Sequence, residues 1–165
     1  MRKFIQWVDR INDVIGRLTS WLILLMMLFV VYEVFTRRFL GKPTVWTFES
    51  ITMTYGAHFM FASVFTLVHG KIACVDLLYN KFSRKKKALL DIFSYSLFFF
   101  PFVAGVLYFS VPYALDSWKI GEKSWSVFAP PLYYSKTVIP VVFFLLFLQG
   151  CAEIMKRILI LKEEQ

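Results

Sequence analysis

The sequence predicts an all-α integral membrane protein with four transmembrane helices, amphipathic interfacial helices, and both termini in the cytoplasm. Three observations lead to this prediction. Hydrophobic residues make up 58% of the 165 residues, whereas soluble domains usually contain about 45–50%. These residues form four long runs, and lysines and arginines are concentrated in the gaps that would share one side of a membrane.

A helix that spans a bilayer needs about 20 predominantly apolar residues. Four segments meet this requirement, at about 18–35, 48–68, 88–111 and 133–154, and they form one membrane domain covering residues 1–165. The second span is the most polar, because it contains Glu49, His58 and several threonines. A transmembrane barrel is not predicted, since its strands would be alternating segments of about 10 residues.

The positive charges predict the orientation. The N-terminal arm, the loop between spans two and three, and the C-terminal tail together contain 13 lysines and arginines, and the opposite side contains 6, counting Lys136 at the start of span four. Because cytoplasmic segments carry the excess of these residues, both termini are predicted to be cytoplasmic. The same placement argues against nucleic acid as the reason for the net charge of +8.

Two stretches outside the spans have helical amphipathic patterns, at 3–17 and 72–82. In the first, apolar residues recur at helical spacing from Phe4 to Leu18, and charged residues take another face. Amphipathic helices with basic flanks lie in the membrane interface. The first stretch is therefore either an interfacial helix or an extension of span one, and both interpretations stay open.

Ionisable residues within a membrane are costly and need an explanation. Glu33 lies one turn before Arg37, so an ion pair at the outer interface explains it. Glu49 opens span two, where a carboxylate gains from the helix dipole or pairs with a basic group on another helix. His58 lies near mid-membrane and is interpreted as a hydrogen-bonded packing residue, with a proton relay as the alternative.

No catalytic or metal-binding motif is recognised, so the chain is not predicted to be an enzyme. His58 and His69 are the two histidines of the chain. They are 11 residues apart on one helix, or about 16 Å, so one haem iron cannot use both. We therefore expect no cofactor in this chain. The basic run Arg84, Lys85, Lys86 and Lys87 is predicted to contact lipid phosphates at the start of span three.

Four short segments, in order along the chain, resemble a known family. The sequence is similar to the small, Q-type membrane subunit of tripartite ATP-independent periplasmic (TRAP) transporters. The resembling segments are Arg38-Phe39-Leu40-Gly41-Lys42-Pro43 with Trp46 and Glu49, Gly70-Lys71-Ile72-Ala73-Cys74-Val75-Asp76-Leu77, Ser117-Trp118-Lys119-Ile120-Gly121-Glu122-Lys123-Ser124, and Pro131, Lys136 and Pro140 before Leu148-Gln149-Gly150. One departure is Ile72, because the family commonly has histidine four residues before the aspartate that matches Asp76.

The resemblance implies a scaffold subunit in a bacterial inner membrane. Its partners would be membrane lipids, a large multi-span subunit that holds the substrate and sodium sites, and a periplasmic binding protein that delivers a small organic acid. Candidate residues for the partner interface, or for structural polar roles, are Arg38, Trp46, Glu49, His58 and Asp76. Candidate residues for docking the binding protein are Trp118, Glu122 and Trp125.

Two other functions stay open as alternatives at this point. A small self-assembling exporter also has four spans, but it usually places a carboxylate deep in span one, whereas Glu33 lies near an end. A membrane anchor of a respiratory complex would bind quinone in place of haem. The sequence identifies neither the substrate nor the face of span two that would meet a partner.

Overall fold

The computed structural model describes residues 1–70 and 82–163. The predicted interfacial helix at 72–82, apart from Phe82, lies outside the described residues, and so does Asp76. The described part of the chain is helical and contains no strand. Its helices are α1 (Arg2–Ser20), α2 (Leu22–Phe39), α3 (Val45–Val68), α4 (Arg84–Ser94), α5 (Phe100–Ile120) and α6 (Tyr133–Glu163).

In the described residues, four stretches of helix are long and apolar enough to cross a membrane, which agrees with the four predicted spans. They are Arg2–Phe39, Val45–Val68, Arg84–Ile120 and Tyr133–Lys162. Three of these stretches extend well beyond the predicted apolar segments, because hydropathy marks the lipid-embedded part of a helix and not its ends. Many large apolar side chains on their outer surfaces are exposed, as expected of helices whose solvent is lipid.

The first helix packs against the bundle. Its buried residues are Ile5, Val8, Asn12 and Gly16, and they contact α3 and α6. Several residues of the predicted apolar stripe point away from the bundle, including Leu18, which is 66% exposed. The helix therefore has two apolar sides, of which one packs inside the protein.

The third span contains one turn of π-helix, at Tyr95–Phe99. In this turn the backbone N–H of Phe100 donates to the carbonyl of Tyr95, five residues earlier. Pro101 follows directly and has no N–H to donate, so a regular α-helical ladder cannot continue unchanged through this point. The sequence predicts a bend at Pro101, and the structure has a π turn just before it.

The last helix is the centre of the packing. One apolar cluster joins Ile5 and Val8 of α1 to Ala152 of α6. A second joins Val64 of α3 to Val142 and Leu145 of α6. α6 therefore holds both α1 and α3, and the bundle's apolar core runs along it.

A glycine ends α5 and starts the long loop before α6. Gly121 has a φ of +59°, which favours glycine because it has no Cβ. The N–H of Gly121 donates to the carbonyl of Trp118, and the N–H of Glu122 donates to that of Ser117. These two bonds form a Schellman cap, which fixes the position of Glu122 at the beginning of the loop.

Candidate functional site

A buried polar network joins α1 to α6. Gln149 is fully buried, and its Oε1 accepts a hydrogen bond of 2.8 Å from Nδ2 of Asn12. Its Nε2 donates to Asp9 Oδ1 at 2.7 Å and to Glu153 Oε1 at 3.3 Å. Lys156 Nζ lies 2.9 Å from Asp9 and 2.7 Å from Glu153. The network pairs these costly groups with one another, although Oδ1 of Asn12 is buried without a hydrogen-bond partner in the described residues.

The network shows that the two ends of the chain are at the same end of the bundle, because Asp9 and Lys156 are in contact. We call this the terminal end. The opposite end, which holds residues 40–44 and 121–132, is the hairpin end. Ser124 of the second loop donates to Glu49 at the start of α3, which places both loops there. The side of the membrane that each end faces stays a prediction.

Two further polar contacts join α1 to α3. Nδ1 of His58 lies 3.1 Å from the carbonyl oxygen of Thr19, so this ring nitrogen carries a proton and donates. Nε2 of His69 lies 3.4 Å from Asp13 Oδ1, and Asp13 also pairs with Arg17 at 2.9 Å. The geometry of His58 is that of a packing histidine, as the first of the two sequence interpretations expects.

Glu33 connects α2 to the start of α3 by hydrogen bonds. One of its carboxylate oxygens pairs with Arg37 at 2.7 Å, as the one-turn spacing predicts. The other accepts hydrogen bonds from the hydroxyl groups of Thr44 and Thr47, and the Thr47 side chain is fully buried. Glu33 is therefore held at the hairpin end by residues on both helices, which gives it a structural role.

The loop at residues 121–132 is a closed hairpin. Ser124 N donates to Pro130 O at 2.9 Å and Leu132 N donates to Glu122 O at 3.0 Å. Glu122 pairs with Lys136 of α6, and Lys136 also lies 4.1 Å from the centre of the Tyr113 ring. The hydrogen bond from Lys136 keeps the pKa of Glu122 below its ordinary value. This ion pair anchors the base of the loop to α6.

The Glu122 contact makes the stability of the hairpin end depend on pH. Since the pKa of Glu122 is lowered in the folded state, its stabilising effect is complete above the ordinary value of 4.5 and is lost as pH falls through the folded pKa. We expect Glu122→Gln to lower the Tm in detergent at neutral pH. The difference from the unmodified chain should shrink below pH 4.5, and a constant difference would contradict the role of this ion pair.

The three predicted docking residues differ in their surroundings. Trp118 donates its indole N–H to Thr137 at 2.8 Å and packs against Tyr133, and Glu122 is held by Lys136. Trp125, at the tip of the loop, is fully exposed, with Val127 91% exposed beside it. Trp125 is therefore the most accessible of the three, whereas Trp118, which is 48% exposed, and Glu122 also form contacts within the chain.

The other candidates are spread over the bundle. Trp46 packs against the rings of Phe29 and Tyr32, and Arg38 is exposed at the end of α2. Glu49 Oε1 accepts from Ser124 at 2.6 Å, and its Oε2 is buried without a hydrogen-bond partner in the described residues. Arg84, Lys85 and Lys86 are exposed, and Lys87 is half-buried. Apart from Glu49 and Trp46, which share the first turns of α3, these candidates do not form one site.

Sequence reasoning missed that Asn12, Gln149 and Asp9 form part of the buried network. Asn12 and Gln149 were not singled out for any role, although each is an uncharged polar residue beside apolar ones. Asp9 and Asp13 were placed on a polar face, and the structure half-buries both against other helices. An amide side chain among apolar residues of a helix indicates a buried hydrogen bond, because burying the amide without a partner is costly. It does not show which residue is the partner.

The described residues contain no group of three or more histidine, cysteine, aspartate or glutamate side chains that could hold a metal ion. Asp91 and Arg157, which lie 3.0 Å apart, form another pair between α4 and α6. Several polar side chains of the described part thus form contacts between helices. Such contacts hold the helices in fixed register.

Comparison with known proteins identifies one family. The family model described as "Tripartite ATP-independent periplasmic transporters, DctQ component" matches residues 26–159. The matched residues include α3, α4, α5 and nearly all of α2 and α6. A comparison with curated proteins finds no match.

Proposed function

The chain belongs to the DctQ family, the small membrane components of TRAP transporters, and from this premise we propose that it is a scaffold subunit. It supports the large multi-span subunit, which carries the substrate and sodium sites of a sodium-coupled importer. A periplasmic binding protein delivers the substrate, a small organic acid. Family membership favours this function over the exporter and the respiratory anchor.

The observation that carries the scaffold proposal is the pairing of polar groups with one another inside the chain. Gln149 joins Asn12, Asp9 and Glu153, and Glu33 joins the two helices of the first hairpin. Polar groups that line a transport path must exchange partners with the solute. These groups instead connect helices to one another, which suits a body that stays fixed while a partner moves.

The basic run fits an anchored position in the bacterial inner membrane. Arg84, Lys85 and Lys86 are exposed at the start of α4, where lipid phosphates would meet them if the terminal end is cytoplasmic. Each basic residue near an anionic lipid surface contributes about 1 kcal/mol. We propose that this run holds the subunit at a fixed depth.

The hairpin end would then face the periplasm, where a binding protein approaches. We propose that the exposed tip at Trp125 contacts that protein. Trp118 and Glu122 hold the base of the loop in place, through a hydrogen bond to Thr137 and an ion pair with Lys136. Trp125→Ala should reduce uptake with assembly unchanged, whereas Trp118→Ala should also lower the Tm. Unaffected uptake in Trp125→Ala would contradict the docking role.

Reconstitution tests the scaffold function directly. The chain is purified alone, and also after co-expression with the large TRAP membrane subunit of the same organism, and each preparation is placed in vesicles with a sodium gradient. We expect the two subunits to copurify. Uptake of a panel of labelled small organic acids is then measured with the binding protein present. The chain alone should transport nothing. Transport by the chain alone, or failure to copurify, would contradict the proposal.

A further inference from the structure

The exposed tip of the loop at 121–132 is not held by backbone hydrogen bonds alone. Such bonds close the base of the loop, and residues 125–129, which we call the tip, lie beyond them. Pro130 and Pro131 follow the tip directly and have no N–H to donate, so this side of the loop cannot extend the ladder with further donors. The direction of the tip therefore depends on side-chain contacts.

The hydroxyl group of Ser124 connects the tip to α3. Ser124 Oγ donates to Glu49 Oε1 at 2.6 Å, and it accepts a hydrogen bond from the backbone N–H of Ser126 at 3.4 Å. A hydroxyl that donates to a carboxylate forms a bond of about 2.5–2.7 Å, roughly twice as strong as a bond between neutral groups. One hydroxyl group therefore connects α3 to the backbone on both sides of Trp125.

The tip itself has a defined conformation. Ala129 has a φ of +46°, a value that a residue with a Cβ adopts only where its surroundings enforce it. Its N–H donates to the carbonyl and to the hydroxyl group of Ser126, both at 3.1 Å. A segment that is ordered before it meets a partner loses less conformational freedom on binding. The tip that carries Trp125 is thus preorganised for contact.

Two side-chain contacts attach the loop to two different helices. Glu122 pairs with Lys136 of α6 at the base of the loop, and Ser124 bonds to Glu49 at the start of α3. Glu49 is half-buried in the bundle, so its carboxylate is a fixed point. The first contact positions the base, and the second restrains the part of the loop nearest to the tip.

We propose that Glu49 is a positioning residue, which through Ser124 holds Trp125 in the direction in which the periplasmic binding protein meets it. The inference rests on the proposed docking of that protein at the hairpin end, and it specifies the residue that orients the docking tip. Glu49 itself does not contact the binding protein. Its effect on docking passes through one hydrogen bond.

The position of the tip is measured first, without the binding protein. In a chain with Cys74 and Cys151 replaced by serine, cysteines that replace Val127 and Lys42 carry spin labels. Val127 belongs to the tip and Lys42 lies in the loop before α3, and both side chains are exposed. Pulsed electron paramagnetic resonance then gives the distribution of distances between the two labels in lipid nanodiscs.

Loss of the hydrogen bond should release the tip. We expect the distance distribution to become at least twofold broader in Glu49→Ala and in Ser124→Ala. Glu49→Gln should keep the original width, because its amide oxygen still accepts from Ser124. An unchanged width in both alanine variants, or equal broadening in Glu49→Gln, would overturn the proposal.

Docking is measured as the Kd between the binding protein of the same TRAP system and the complex of this chain with the large subunit. Glu49→Ala and Ser124→Ala should each raise the Kd at least fivefold. The double variant should match the single variants within twofold, because both substitutions remove the same bond. Asp116→Ala is the matched control, since it removes a carboxylate that pairs with Lys119 of its own helix, and it should leave the Kd within twofold.

Trp125→Ala separates failure of the inference from failure of the docking proposal. If Trp125→Ala weakens binding and Glu49→Ala and Ser124→Ala do not, the positioning role is wrong and docking at the tip stands. If Trp125→Ala leaves the Kd unchanged, docking at the tip is itself wrong. Additive effects of Glu49→Ala and Ser124→Ala would also contradict the positioning role, because they would show that the two residues act separately.

Discussion

Replacing Gly16 with alanine is expected to destabilise the bundle by about 1–3 kcal/mol, the usual cost of overpacking. A Cβ at this position would lie 2.3 Å from Cδ2 and 2.7 Å from Cβ of Phe65. Because the second contact is to the base of the side chain, rotation of the ring cannot relieve it. Helix α1 must therefore move away from α3, and the Tm in detergent should fall.

Gly105→Ala is the matched control, because its Cβ would meet nothing within 4 Å. Alanine favours a helix over glycine by up to about 1 kcal/mol, so this variant should keep or raise its Tm. A similar loss at both positions would mean that the cost comes from removing a glycine and not from the α1–α3 contact.

The second large effect is expected for Gln149→Ala. The substitution removes the acceptor of Asn12 and the donor to Asp9 and Glu153, and it leaves Asn12, which is 1% exposed, without a partner. An unsatisfied buried polar group costs about 1–3 kcal/mol, and the cavity adds to this. We expect a total loss of about 2–4 kcal/mol, measured as unfolding in detergent.

Gln6→Ala provides the comparison, since Gln6 is exposed on the same helix that Gln149 contacts. It should change the free energy of unfolding by less than about 0.5 kcal/mol, as is usual for surface substitutions. Comparable Tm values for the two variants would show that the network between α1 and α6 does not stabilise the bundle.

The features predicted correctly from the sequence are those that depend on neighbouring residues. The four spans follow from local hydropathy, although α5 continues to Ile120 and α3 begins at Val45, beyond the apolar windows. The pair of Glu33 and Arg37 follows from one helical turn. Helical periodicity also places Thr52 and His58 on different faces of span two, and in the structure Thr52 is exposed and His58 is half-buried.

The candidate site was only partly predictable. The sequence singles out Glu49, Trp118 and Glu122, but it does not identify Ser124, Thr137 and Lys136 as their partners. Those contacts depend on the loop at 121–132 folding back over the helix ends. Spacing along the chain does not specify such a fold, because the partners belong to different elements.

The sequence by itself determined the membrane class, the four crossings and the TRAP family resemblance, because these depend on composition, hydropathy and ordered motifs. Only the tertiary structure decided which helix faces are buried. Asn12 and Gln149 are 137 positions apart, and their contact depends on how α1 and α6 are rotated and set against each other. The same rotation packs the His58 side of α3 against α1 and leaves the side at Thr52 exposed.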